Sequence, residues 1–114
     1  KGYPVDMRPS IHLSASKGQT AALKRLINAG CDVNQADKDG ATPAYIAARF
    51  GHTAALGILV EAGCDVNQAN KSGATPAYIA AQLGHTAALG ILVEAGCDVN
   101  QAQKDGTTPA YIAA

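Results

Sequence analysis

The chain has 114 residues, 47% of them apolar and 16% charged, which suits a single packed domain and excludes a disordered chain. Nine basic and nine acidic residues cancel, so the sequence offers no electrostatic footprint for nucleic acid. No apolar run reaches the roughly 18–20 residues that cross a bilayer, and no charged-then-apolar leader is visible, so neither membrane insertion nor a signal peptide is expected.

Residues 1–3 precede the first structured frame. From Pro4 the chain repeats at an interval of 33 residues, the separation of Cys31, Cys64 and Cys97. The frame divides one domain, 1–114, into units 4–36, 37–69 and 70–102 and a partial unit 103–114. Periodicity of this length implies a stacked array.

The first unit diverges from the others. Met7 replaces a glycine, and Arg8, Lys17, Lys24, Arg25 and Asn28 bring polarity, Arg25 at the position of apolar Ile58. Such changes suit an outer unit that meets water. In the second unit Asp39-Gly40 is a tight-turn signal. Thr42-Pro43 then starts a helix, the hydroxyl capping free N–H groups and proline tolerating the first helical position. The spacing predicts a short helix over 44–50, ended by Gly51, and a second over 53–62, ended by Gly63. After it, Asp65, Asn67, Asn70 and Ser72 make a turn-rich connection. The third unit repeats this pattern.

Helices this short are marginal alone, so stacking must stabilise them. Leu56, Leu59 and Val60 share one side of the second helix, with Ala55, Ile58 and Ala62 around it. The first helix carries small residues, Ala44, Ala47 and Ala48. Small side chains on one layer and larger ones on the other should curve the stack, with first helices and loop tips on the concave side.

The unit G-x-T-P-x-x-x-A-A-x-x-G-H-x-A-A-L-x-x-L-x-x-A-G-C-D-V-N resembles the ankyrin repeat. It is carried by Thr42-Pro43, Ala47-Ala48, Gly51-His52, Leu56, Leu59, Gly63 and Asp65-Val66-Asn67, and by their mates 33 residues on. The resemblance implies an all-α, ankyrin-type solenoid of stacked helix-turn-helix repeats joined by β-hairpin-like loops, acting as an intracellular protein-binding module in cytoplasm or nucleus. Tyr45, Tyr78 and Tyr111 depart from the family's T-P-L-H, where only His12 keeps the histidine that braces the turn. Gly57 and Gly90 sit inside second helices, at a cost of roughly 1 kcal/mol each against alanine. Asn34, Asn67 and Asn100 lie in an L-x6-D-V-N context that looks like a site of asparagine hydroxylation in ankyrin-type repeats. They are read here as loop hydrogen-bonders.

The second and third units differ only at Asp37/Asn70, Asp39/Ser72, Arg49/Gln82 and Phe50/Leu83, and the fourth adds Thr107 against Ala41. These loop and first-helix positions are the recognition surface that the resemblance implies. With the recurring lysines, the expected partner-binding set is Lys38, Asp39, Ala41, Arg49, Phe50, Lys71, Ser72, Gln82, Leu83, Lys104, Asp105 and Thr107. The expected partner is a protein or peptide. The alternative is a structural or self-associating array, part of a larger ankyrin-repeat protein, with end-to-end contact through the uncapped C-terminal unit.

No cofactor, metal or catalytic site is expected. An odd number of evenly spaced single thiols is a poor disulfide framework and suits a reducing compartment. Zinc wants pairs such as C-x-x-C. No nucleophile elbow, P-loop, dinucleotide fingerprint or H-E-x-x-H occurs. His52 and His85, one unit apart, are expected about 10 Å from each other, too far to share a metal.

Overall fold

The computed structural model describes residues 10–101, together with Gly106 and Thr108. Among them are six helices and no strand: α1 (Ile11–Lys17), α2 (Thr20–Asn28), α3 (Pro43–Arg49), α4 (Thr53–Glu61), α5 (Pro76–Leu83) and α6 (Thr86–Glu94). Lys104, Asp105, Thr107 and Tyr111 lie outside the described residues.

Each first helix begins on a hydroxyl cap. Ser10 Oγ accepts from the Leu13 N–H at 3.0 Å, Thr42 Oγ1 from Tyr45 at 3.2 Å and Thr75 Oγ1 from Tyr78 at 3.1 Å. Proline follows the two threonines, where its missing N–H costs nothing. Thr42 and Thr75 are 1% exposed, so the caps are interior features. The turn between the paired helices passes through Gly51 at φ +70°, and the His52 N–H closes it on the Ala47 carbonyl at 2.9 Å. The second helices have no side-chain cap at Gln19, His52 or His85.

Packing builds two layers. Helices α1, α3 and α5 contact one another in series, as do α2, α4 and α6, and each pair closes its own unit. The first-helix layer is close because Ala44, Ala47, Ala48, Ala77 and Ala80 are at most 1% exposed. Leu23, Leu56, Leu59 and Leu92 fill the space behind it, each fully buried. Burial of one leucine contributes roughly 1.5–3 kcal/mol. The array measures 50 × 24 × 20 Å, a rod set by neighbour-to-neighbour stacking. In α2, Lys24 and Arg25 are exposed, consistent with the polar outer unit read from the sequence.

The loops between units are hairpin-like and stack on each other. The Asp37 N–H donates to the Ala41 carbonyl at 2.9 Å, and Asn70 repeats this with Ala74. The Lys71 N–H then crosses to the Asp39 carbonyl at 3.0 Å. Gly40 holds φ +80° there, and a Cβ would stand 2.8 Å from the Lys71 nitrogen. Only glycine satisfies both conditions.

Candidate functional site

The face formed by loop tips and first helices is built from its turn residues upward. Asp37 Oδ1 accepts from the Asp39 and Ala41 N–H groups, both at 2.9 Å. Asn70 Oδ1 accepts from Ser72 and Ala74, both at 3.0 Å. Each oxygen fixes its loop by the same pair of bonds, so Asp37/Asn70 changes charge and leaves the turn intact. These turns hold Lys38, Asp39, Lys71 and Ser72 exposed.

At the far end of the first helices, Arg49, Phe50, Gln82 and Leu83 are exposed, Phe50 and Leu83 at 50% each. The Arg49 guanidinium carbon lies 5.4 Å from the Phe50 ring centroid, cation–π geometry. The same ring lies 6.3 Å from that of His52. Phe50 and Leu83 are therefore surface groups, not side chains tucked between helices.

Tyr45 joins the two ends of this face and was not among the residues expected there. Its phenol meets the Asn70 side chain and lies near Arg49 and Tyr78. Burial raises its pKa; Arg49 and the Asn70 hydrogen bond partly offset the rise, and Tyr78 adds to it. His12, its mate in the first unit, instead places Nε2 3.1 Å from the Ala41 carbonyl of the next loop. The longer phenol thus passes the position a histidine braces and reaches the first residue of the following loop.

Ala41 is a correction. It is 7% exposed and Ala74 is 4% exposed, so both pack beneath the loop and neither belongs to an accessible surface. The carbonyl of Ala41 is occupied by Asp37 and His12.

The remaining polar residues bind units together. The Asp65 N–H donates to Asn34 Oδ1 at 2.6 Å and the Asp98 N–H to Asn67 Oδ1 at 2.7 Å. The Gln68 and Gln101 amides reach back to the Asn34 and Asn67 carbonyls at 3.2 and 3.0 Å. His52 Nε2 is 3.0 Å from the Ser16 carbonyl, and its ring fills the space above Gly18. The His85 ring fills the space above Gly51. Cys31, Cys64 and Cys97 are free, half-buried thiols. Burial, with Asp65 adding, pushes Cys64 up to about 11 and disfavours its thiolate. Among the described residues no group of three His, Cys, Asp or Glu side chains is placed to hold a metal, and no helix is long and apolar enough to cross a membrane.

A serial array of two-helix units presenting an open face of turn residues and helix ends defines a helical-repeat solenoid. The profile described as "Ankyrin repeats (3 copies)" matches residues 11–103. The chain belongs to the ankyrin repeat family, whose repeats generally serve as protein–protein interaction modules and are typically not enzymes. Two curated relatives, Protein phosphatase 1 regulatory subunit 12A of Mus musculus and of Rattus norvegicus, are each 53% identical over 38 residues. That match covers 33% of this chain and 4% of each relative.

Proposed function

We propose that the chain is a binding module without catalytic activity of its own, holding a protein or peptide partner on its loop-tip and first-helix face. One observation carries the reading. The second and third units are identical throughout α4 and α6, and they differ only at Asp37/Asn70, Asp39/Ser72, Arg49/Gln82 and Phe50/Leu83. Seven of these eight side chains are exposed and Asn70 is half-buried. Variation is thus confined to loop-tip and first-helix positions, although α4 and α6 also carry exposed residues such as Glu61, Val93 and Glu94. The relatives are named as regulatory subunits of a phosphatase, which fits an adaptor role. Three unpaired thiols fit the reducing interior of a cell, in cytoplasm or nucleus.

The test is affinity capture with the chain and with a variant carrying Arg49→Ala, Phe50→Ala, Gln82→Ala and Leu83→Ala, alongside sedimentation of both. Loss of a saturable partner by a variant that keeps its helical circular dichroism supports the module. Unchanged capture with concentration-dependent self-association transfers the reading to a structural array.

A further inference from the structure

We propose that the occupant of this face is an acidic, extended peptide segment, its carboxylates on Lys38, Lys71 and Arg49 and an apolar side chain against Phe50 and Leu83. The inference rests on the partner-binding reading above and names the chemistry of the partner.

A net charge of zero conceals a partition. The exposed cations Lys17, Lys38, Arg49 and Lys71 outnumber Asp37 and Asp39 at first-helix ends and loop tips, while Asp32, Glu61, Asp65, Glu94 and Asp98 outnumber Lys24 and Arg25 in and just beyond the second helices. The last turns of α4 and α6 hold no basic residue. The two units then differ in charge in one direction at the tip. Asp37 and Asp39 become Asn70 and Ser72, and the lysine is retained as Lys71. Because Asn70 Oδ1 keeps both turn bonds, the exchange removes negative charge without disturbing the scaffold. An anionic partner gains from such a change, and a cationic one loses.

Spacing adds a constraint. Stacked helices stand about 8–10 Å apart, and a segment extended as polyproline II advances about 3.1 Å per residue and returns to the same side every three residues. Equivalent side chains in adjacent units therefore meet every third residue of an extended segment. The loops are already joined in that register by the Lys71-to-Asp39 backbone bond. A segment with Asp or Glu at three-residue spacing and one aliphatic or aromatic side chain satisfies the cations and covers the two apolar groups, which carry about half their surface to solvent.

Selection of random dodecapeptides displayed on phage against the full chain, followed by fluorescence anisotropy of the recovered peptides, tests this. Enrichment of Asp and Glu is expected, with binding that weakens as sodium chloride rises from about 0.05 to 0.5 M. A Lys38→Glu, Lys71→Glu variant should lower affinity by about tenfold or more, and Lys38→Arg, Lys71→Arg should restore it. Basic or neutral peptides, affinity indifferent to the lysine reversals, or tighter binding of a single-stranded oligonucleotide would overturn the acidic partner. Of these, peptides lost on Phe50→Ala and Leu83→Ala but unmoved by charge reversal leave the binding module standing. Failure to recover any peptide sensitive to this face overturns both. Self-association abolished by either the lysine reversals or Asp65→Lys would make a second copy of the chain the occupant.

Discussion

Asn67 is a small residue with a disproportionate position. Its side-chain oxygen receives the Asp98 N–H at 2.7 Å and its carbonyl receives the Gln101 amide at 3.0 Å, so one residue fastens two units. Asn67→Ala should lower stability by about 1 kcal/mol, read from urea denaturation, and hydrogen exchange should quicken in α6 before α1. Cys64 gives a second outcome at this scale. Its folded pKa is about 11 against an ordinary value of 9.0, so the folded chain keeps a proton that the unfolded chain releases first. That contribution is complete below pH 9 and is lost as pH rises toward 11. Denaturation midpoints should fall across this window, and Cys64→Ala should flatten part of the fall. These roles were only half legible in the sequence. The repeat shows that Asn34 and Asn67 are equivalent, and their turn setting suggests loop hydrogen bonds. It gives no direction for a side chain reaching a backbone 31 residues away. For the same reason the sequence does not show that Tyr45 reaches Asn70 or that Ala41 lies beneath the loop rather than on its surface.

Individual helices follow local chemistry closely. The sequence placed the first helix of the second unit over 44–50 and its partner over 53–62; the structure has Pro43–Arg49 and Thr53–Glu61. Threonine, proline and glycine mark these limits by their own backbone preferences, so no distant contact was needed to read them. One-residue offsets are the ordinary fraying of helix ends. Gly57 and Gly90 run against local preference, and the structure gives no packing reason: a Cβ at either would meet nothing within 4 Å. Gly57→Ala and Gly90→Ala should therefore each raise stability by about 0.5–1 kcal/mol, seen as additive increases in melting temperature. Gly40→Ala is the opposite case. Its positive φ and the 2.8 Å approach to the Lys71 nitrogen forbid a side chain, and the melting temperature should fall.

At the scale of the whole molecule, stability comes from contacts between neighbours along a rod 50 Å long. Leu56 is fully buried in the second-helix layer, and Leu56→Ala should cost about 2–5 kcal/mol by urea titration, a large share of the total for a chain of this size. The broadening of the transition, not only its midpoint, is informative. In a serial array a weakened central unit separates the stability of the two sides. The repeat made this architecture readable, because a period of 33 fixes which residues are mates. The proposed partner face was readable only in outline: variation between units pointed to the loop tips and first-helix ends, while the loop bonds showed that Asp37 and Asn70 hold the same turn with different charge.

The inter-unit fastening uses the same atoms at both described junctions, Asn34 to Asp65 and Asn67 to Asp98. A duplicated copy of residues 37–69, inserted in frame, would thus find a matching socket on either flank. Lengthening by tandem duplication needs no compensating mutation at these joints, and each new copy would arrive with an exposed loop and helix-end edge free to diverge.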